Sequence, residues 1–498
     1  MSRSSVLQFV RELAGDAAVY LLGSVAVGAA GVVLIPLYTR FLAPAAFGVY
    51  ALLEAVIQVA VVICTLGANV GYLKWFTDLP AERRTRLFSA TLLLAGGIAA
   101  VGGCAIAISG VTQAATVLGI SPAWSFWTLG PLVLTGVVSN VLLTELRCQR
   151  RAVLYSVASV LRLLATVGAS IYTVAILRGG VSGVLYGRMA GELVGIVFLG
   201  AATSSSLGRP GEWRELKQML RYGMPIVVSS LSITVLATSG RYLLTWFGTL
   251  AQVGIYAAAT KVAGVVALLL VQPFGIAWGG LMFRIGKESD GPRIYGLILA
   301  ATWAVGWSVI AALGLMTPEL FSVLTSSAYR AAERVFPWLL LTQLMTLMQY
   351  PVGVGLYLTQ RTNALSLLYL GGLALNIVIG TPLVLWAGTA GGAAAWFIAN
   401  AAITAATWIL AQRAYPIPWR PAWFGSVGVV GIAVLTLAAA VPSRPWGPGG
   451  LVRLLLGLVG CGAAAWVASR VLEAALLPGG EAASTSGTKA TPHVEPGA

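Results

Sequence analysis

The chain has 498 residues, of which 58% are hydrophobic and 9% charged, and its mean hydropathy is +0.88. Because a soluble domain carries roughly 25% charged residues, this composition excludes a soluble globular protein and indicates a membrane protein. The net charge of +15 is spread over short basic clusters between apolar runs. Such clusters are typical of loops beside an anionic leaflet and argue against a nucleic-acid-binding surface.

Windows of about 20 apolar residues, long enough to cross some 30 Å of hydrocarbon, predict an all-α integral membrane protein with about fourteen transmembrane helices. The first apolar run has no cleavage signal before it and is predicted to be a retained span. The predicted spans are 16–39, 46–70, 87–109, 124–146, 153–177, 181–202, 222–247, 253–281, 294–315, 335–358, 363–386, 391–411, 423–441 and 451–472.

The spans group into two six-helix bundles, 16–202 and 222–411, joined by a cytoplasmic linker at 203–221. An amphipathic lead-in (1–15) precedes them, and helices 13 and 14 (412–472) and a polar tail (473–498) follow. Small polar residues with Pro and Gly predict that this tail is disordered.

The sidedness of the protein is predicted from its loops. With the N-terminus in the cytoplasm, 21 of the 31 Lys and Arg residues lie in or beside cytoplasmic segments, whereas six lie outside. Positive charge concentrates on the cytoplasmic side of membrane proteins, so both termini are predicted to be cytoplasmic.

Histidine and cysteine are scarce. The one histidine is His493, in the tail, and the four cysteines lie in apolar runs or in a basic turn. A His-based catalytic triad, a His-ligated metal and a disulfide framework are therefore not expected. We predict no catalytic residue, no metal, no cofactor and no enzymatic activity.

An internal repeat is visible when the sequence is shifted by 206 residues. "AAFGVYALLEAV" (Ala45–Val56) then matches "AQVGIYAAATKV" (Ala251–Val262), with Gly48 over Gly254 and Tyr50 over Tyr256. Six predicted spans separate the copies, so the two halves have the same orientation, as in parallel-repeat transporters. Such folds place the substrate site between the halves, near the middle of the membrane.

Six ionisable residues lie within predicted spans and away from their ends. A charge costs at least roughly 2.5–3.5 kcal/mol when it faces lipid at the midplane, so most of them should face the protein interior or water. Four cations against two carboxylates leave a net charge of +2, which suits an anionic ligand such as a diphosphate. The six residues are Arg162, Arg188, Arg241, Lys261, Glu54 and Glu192.

Other roles for these residues stay open. Arg188 and Glu192 are four residues apart on one helix and can neutralise each other. Arg241 can extend its side chain to the headgroups instead of entering a cavity. Glu54 is either a proton or cation site or a partner in a structural ion pair.

Amides and prolines within the spans have similar alternatives. Side-chain amides can bind sugar hydroxyls or form interhelical hydrogen bonds; they belong to Asn69, Asn140, Gln272, Asn376 and Asn400. Prolines interrupt the helical hydrogen bonds and are plausible bending points; they are Pro225, Pro273 and Pro351.

Two stretches resemble bacterial polysaccharide flippases of the multidrug/oligosaccharidyl-lipid/polysaccharide (MOP) exporter superfamily, which are Wzx-like. They are "LIPLYTRFLAPAAFGVYALLEAVIQVAVVICTLGANVGYLKWF" (Leu34–Phe76) and "LRYGMPIVVSSLSITVLATSGRYLLTWFGTLAQVGIYAAATKVAGVV" (Leu220–Val266). The family often has an acidic residue before the arginine of the seventh helix, whereas Gly240 precedes Arg241 here. This sequence therefore lacks a local carboxylate partner for Arg241.

The resemblance implies two six-helix bundles around a cation-lined central cavity, two additional C-terminal helices and a lateral gate towards lipid. It implies that an undecaprenyl-diphosphate-linked oligosaccharide, a precursor of a cell-surface polysaccharide, crosses the membrane by alternating access. Arg162, Arg188, Arg241 and Lys261 would bind its diphosphate, with Glu54 and Glu192 as candidates for ion coupling. Lipids are expected partners. Whether a proton or sodium gradient drives transport, and whether proteins of glycan assembly bind as partners, stays open.

Two other functions compete with this hypothesis. A MATE-like drug or cation exporter shares the architecture, but it needs carboxylates to pair with cationic drugs, and the in-span charges are mostly cationic. A membrane glycan polymerase or ligase needs a sizeable external loop with catalytic residues, and the longest predicted loop is about eighteen residues without histidine.

Overall fold

The computed structural model describes residues 28, 31–109, 127–288, 290–419 and 421–440, and in addition 449, 450, 452, 453, 455–459 and 462. Within this part of the chain the secondary structure is helical, with no β-strand. The predicted lead-in (1–15) and the polar tail (473–498) lie outside the described residues, as do most of the first and last predicted spans.

The described helices follow one another with short connections. In chain order they are α1 (Ile35–Phe41), α2 (Pro44–Thr65), α3 (Ala68–Asp78), α4 (Ala81–Ser109), α5 (Leu129–Cys148), α6 (Ala152–Ser170), α7 (Gly180–Thr203), α8 (Trp213–Phe247), α9 (Leu250–Val266), α10 (Gln272–Ile285), α11 (Gly291–Leu315), α12 (Thr317–Leu324), α13 (Phe336–Val352), α14 (Val354–Leu358), α15 (Thr362–Ala414) and α16 (Pro421–Ala440). Short π-helical turns extend α6 over Ile171–Ile176 and join α9 to α10 over Ala267–Val271.

Ten helical stretches in the described residues are long and apolar enough to cross a membrane, and two shorter apolar helices accompany them. One of the ten, Asn363–Ala414, covers two predicted spans. Its Gly388 has φ +56° and ψ −125°, a left-handed conformation that favours glycine and separates two helices. The prediction of an all-α, multi-pass membrane protein is confirmed, and the count of fourteen spans stays a prediction.

Each half of the described chain has its own apolar core. The first core is built mainly from α2, α4, α5 and α7, and the second mainly from α9, α11 and α13. At the boundary the halves exchange side chains: Ala257 and Ala258 pack in the first core, whereas Ile35 and Leu52 pack in the second. This exchange joins the two halves through apolar contacts.

The repeat-related helices α2 and α9 meet at the glycines that the sequence alignment matched. A Cβ atom added to Gly48 would lie 3.0 Å from the Gly254 nitrogen, and one added to Gly254 would lie 3.0 Å from the Gly48 nitrogen. The two contacts are reciprocal, as expected for halves related by a twofold axis. Glycine is needed at both positions because the backbones approach too closely for a side chain.

A second backbone contact joins the halves towards the predicted cytoplasmic side. Gly67, between α2 and α3, has φ +67°, and a Cβ atom there would lie 2.6 Å from the Gly223 carbonyl oxygen on α8. The repeat places Gly67 opposite Pro273, which follows the π-helical turn of the second half. Both halves therefore interrupt the corresponding helix at the same position.

The second part of the predicted linker (203–221) is helical, because α8 begins at Trp213. Arg83 at the start of α4 forms ion pairs with Glu212 and Glu215, each with a 2.6 Å separation. The hydrogen bond from Arg83 lowers the pKa of Glu212 below its usual value. These contacts attach the end of the linker to the first half.

Candidate functional site

A cavity of about 380 Å³ lies in the membrane-spanning region and collects most of the in-span charges. It is lined by Glu54, Arg162, Arg188, Glu192 and Lys261, together with neutral residues such as Tyr38 and Gln58. Apart from Lys261, its described lining residues come from the first half. The substrate site is predicted to lie between the halves; the first half forms most of this cavity's wall, and the second half contributes Lys261.

The positions of Glu54 and Lys261 along their helices show how deep the two charges lie in the membrane. Glu54 lies ten residues after Pro44, which starts α2, and Lys261 lies eleven residues after Leu250, which starts α9. At 1.5 Å per residue, both side chains are about 15 Å from the predicted outer ends of their helices. The charges are therefore near the middle of the membrane, where lipid cannot solvate them.

Glu54 is the centre of a cluster with three cations. Its Oε1 atom is 3.0 Å from Lys261 Nζ and 3.8 Å from Arg188 Nη1, and its Oε2 atom is 3.5 Å from Arg241 Nη1. Tyr50 donates a 3.1 Å hydrogen bond to Oε1, whereas no described group donates one to Oε2. The predicted ion pairing of Glu54 is thus present, with Lys261 and Arg188 as well as Arg241.

Glu192, the second carboxylate of the cavity, pairs with an arginine on a neighbouring helix and not with Arg188 on its own helix. Glu192 on α7 pairs with Arg162 on α6 and accepts a 3.1 Å hydrogen bond from Ser139 on α5. No ion pair joins Glu192 to Arg188, although the two residues are four apart on one helix. Packing between helices therefore overrides the local pairing that the sequence suggested.

Arg241 does not line the cavity. Its side chain is 6% exposed, and its guanidinium donates a 3.0 Å hydrogen bond to the Ala51 carbonyl oxygen in addition to pairing with Glu54. In this structure its side chain is buried beside Glu54 and neither lines the cavity nor extends to the headgroups, and its predicted role in substrate binding stays a prediction. Its carboxylate partner comes from the first half rather than from position 240.

The close approach of Tyr256 explains why glycine, and not the acidic residue of the family, precedes Arg241. A Cβ atom at this position would lie 2.5 Å from the Tyr256 hydroxyl and 2.6 Å from the ring carbon that carries it. Tyr256 is fully buried in the second core. A larger residue before Arg241 would displace this ring.

The cavity carries an excess of positive charge. Its three lining cations and two lining carboxylates sum to +1, and the buried Arg241 beside Glu54 brings the cluster of six charges to +2. Both carboxylates are paired with cations. Arg162 and Arg188 have the most exposed side chains of the six, at 24% and 26%. These two arginines and Lys261 are the cations that a ligand in the cavity can reach.

The sequence did not single out Tyr50, Ser139 or Glu145. Tyr50 was visible as a repeat match, four residues before Glu54, a spacing that places both side chains on one helix face. Glu145 is buried and accepts a 2.7 Å hydrogen bond from Tyr72, but it lies at the end of a predicted span. Among the described residues, no three His, Cys, Asp or Glu side chains lie together as metal ligands would.

The fold is similar to that of known transporters. The lipid II flippase MurJ, in an inward closed conformation, matches 92% of this chain and 99% of its own length, with a TM-score of 0.70 and 11% identity. An inward-facing multidrug-resistance MATE transporter of the MOP superfamily matches 82% of this chain and 96% of its own, with a TM-score of 0.61 and 16% identity. A MATE transporter from Vibrio cholerae gives a TM-score of 0.52, 15% identity and coverage of 83% and 98%.

These likenesses define the class of protein: a multi-pass membrane protein with the MOP transporter fold. The sequence model for the polysaccharide biosynthesis protein family matches residues 13–285, more than half of the chain. The chain therefore belongs to the polysaccharide biosynthesis protein family. No curated protein matches the sequence significantly.

Proposed function

We propose that this protein is a flippase that moves an undecaprenyl-diphosphate-linked oligosaccharide across the bacterial inner membrane, with both termini in the cytoplasm. The observation that carries the proposal is the cationic cavity near the middle of the membrane, built mostly by the first half and completed by Lys261 from the second. A diphosphate is an anion of suitable size for this cavity. Family membership supports a substrate that belongs to polysaccharide synthesis.

The reachable cations recognise the diphosphate by charge and geometry. Arg162 and Arg188 each present a planar guanidinium that matches two phosphate oxygens, and Lys261 adds a compact positive charge. In the present arrangement Glu54 and Glu192 neutralise part of this charge. The diphosphate replaces these carboxylates as the partner of the cations when it binds.

Glu54 connects substrate binding to an ion gradient in this proposal. Its Oε2 atom accepts no hydrogen bond from the described residues, so it can accept a proton or contribute to a cation site. A neutral Glu54 no longer competes for Lys261 and Arg188, and the cavity becomes more positive by one charge. A proton or sodium gradient can therefore change the affinity of the cavity for a diphosphate.

The charge of the cavity also separates this function from cation export. An exporter of cationic drugs needs unpaired carboxylates at its site, whereas Glu54 has three cations within 4 Å and Glu192 is paired with Arg162. The fold alone does not distinguish the two functions, because the MATE transporters share it.

The experiment uses cells whose export of a surface polysaccharide depends on this protein. Replacing the two cations of the cavity that contact Glu54, as Arg188→Ala/Lys261→Ala, is expected to make lipid-linked glycan accumulate on the cytoplasmic leaflet. The control is Arg209→Ala/Lys217→Ala, which removes the same residue types from exposed positions beside the predicted cytoplasmic end of α8. Normal export by the cavity variant, at normal protein levels, contradicts the proposal.

A further inference from the structure

A second, smaller cleft of about 140 Å³ lies between the first half and α8. Its wall on α2 includes Val61 and Thr65, whereas Gln58, on the same helix, lines the charged cavity. Gln58 and Thr65 are seven residues apart, so they lie on one face of α2 about 10 Å apart along its axis. The cleft therefore lies nearer to the predicted cytoplasmic side than the charged cavity does, along the same face of α2.

The described lining of the cleft is uncharged and combines polar with apolar side chains, the apolar ones being Val61, Val62, Val70, Ile226 and Val227. Its polar side chains are those of Thr65, Asn69, Asn140 and Ser230, and its described lining residues include no Asp, Glu, Lys or Arg. The exposed side chains of Asn69 and Asn140 each carry two donors and an acceptor, and the Asn69 Oδ1 atom already accepts a 3.0 Å hydrogen bond from the Val70 backbone nitrogen. A cleft of this chemistry suits a neutral ligand with many hydroxyl groups and gives no advantage to a phosphate.

The amides in the cleft differ from the other amides in the spans. Asn376 accepts a 2.6 Å hydrogen bond from Ser239, and Asn400 accepts one of 3.3 Å from Gln349, so both serve interhelical packing. The described residues offer the Asn140 amide no partner. An amide at membrane depth without a partner is costly unless water or a ligand binds it.

We infer that this cleft binds a sugar ring of the lipid-linked substrate through Asn69 and Asn140, while the charged cavity holds the diphosphate. The inference rests on the proposed function and extends it to the part of the substrate that carries no charge. The cleft has room for several water molecules or for one sugar ring. Its position along α2 matches a substrate in which the sugar is attached directly to the diphosphate.

The experiment measures the affinity of the purified full-length protein for two probes. One is undecaprenyl diphosphate, and the other is the same lipid carrying a single hexose or N-acetylhexosamine. The test variant is Asn69→Leu/Asn140→Leu, and the matched control is Asn363→Leu, which removes an exposed asparagine amide near the start of α15 that does not line the cleft. The bare carrier also reports whether the test variant is folded.

We expect the wild type and the control to bind the sugar-bearing lipid about tenfold more tightly than the bare carrier, a difference of about 1.4 kcal/mol. The test variant should lose this difference and keep its affinity for undecaprenyl diphosphate. The sugar site is overturned if the test variant keeps the preference for the sugar-bearing lipid, or if its affinity for both probes falls equally. So does a wild type that binds both probes equally, and this result leaves the proposed flippase intact. A wild type that binds neither probe overturns the proposed function and the sugar site with it.

Discussion

Arg241 and Glu54 form an ion pair across the boundary between the two halves, with Arg241 Nη1 3.5 Å from Glu54 Oε2, and of the two residues only Glu54 lines the cavity. Arg241 also holds the backbone of α2 through its hydrogen bond to the Ala51 carbonyl. We therefore propose a positioning role for Arg241, in which it holds Glu54 from the second half.

The first prediction concerns the stability of this pair. Removing one partner of a buried ion pair costs about 3–5 kcal/mol. Arg188 and Lys261 remain beside Glu54, so Arg241→Ala should lower the stability by an amount at or below the lower end of that range. The double variant Arg241→Ala/Glu54→Gln should melt at a higher temperature than Arg241→Ala alone, because the carboxylate is no longer left without this cation. Equal melting temperatures of the two variants in detergent would show that the pair does not contribute to stability.

The same residue should affect export in a graded way. Arg241→Lys keeps the charge but loses the planar guanidinium, so it should impair export partially, whereas Arg241→Ala should impair it severely. Both proteins should insert into the membrane, since losing a buried cation does not raise the cost of insertion. Export is measured as surface polysaccharide per unit of protein. Full export by Arg241→Ala would contradict a role of Arg241 in export.

A third prediction assigns ion coupling to Glu54. Glu54→Gln keeps the size of the side chain and removes its charge, so the dependence of export on pH or on sodium should become flat. The matched control is Glu82→Gln, at an exposed position near the start of α4, which should keep the wild-type dependence. If Glu54→Gln also keeps it in full, Glu54 is a structural partner of the cations.

The contact between the repeat-related glycines predicts an effect on packing. Gly254→Ala adds a Cβ atom 3.0 Å from the Gly48 nitrogen, so the two halves must move apart, and both the melting temperature and export should fall. Gly264→Ala, on the same helix, adds a Cβ atom with no neighbour within 4 Å. This control should be as stable as the wild type or gain up to about 1 kcal/mol from helix propensity. An unchanged melting temperature of Gly254→Ala would contradict the close approach of α2 and α9.

The predicted sidedness is tested by labelling single cysteines. In a background without the four native cysteines, Arg209→Cys lies beside the predicted cytoplasmic end of α8, and Arg178→Cys lies between α6 and α7 on the opposite side. A membrane-impermeant maleimide should label position 178 in intact cells and position 209 only after the membrane is opened. The reverse pattern would invert the predicted topology.

Much of the site was predictable because charges inside apolar runs are conspicuous. The sequence identified all six residues of the cluster and their net charge of +2. Their pairing was not predictable: Glu192 selects Arg162 from a neighbouring helix, although Arg188 lies four residues away on its own helix. Pairing depends on how helices rotate against one another, and hydrophobic periodicity does not determine this rotation.

The fold was predictable to a similar level. Hydropathy gave an all-α membrane protein, and the shift of 206 residues identified Gly48 and Gly254, which are in contact. The sequence did not show that the first half forms most of the cavity wall, because a repeat predicts symmetric halves. The charges of the two halves differ within the repeat itself, since Glu54 lies opposite Thr260.

The central claim is that the cations of the cavity bind the diphosphate of a lipid-linked glycan during its passage across the membrane. The most direct measurement reconstitutes the full-length protein in liposomes and follows a fluorescent undecaprenyl-diphosphate oligosaccharide as it crosses the bilayer. Arg188→Ala/Lys261→Ala should reduce the translocation rate more than tenfold, because each cation lost removes a charge-assisted hydrogen bond. Arg209→Ala/Lys217→Ala should translocate at the wild-type rate. Equal rates for both double variants and the wild type would contradict the claim.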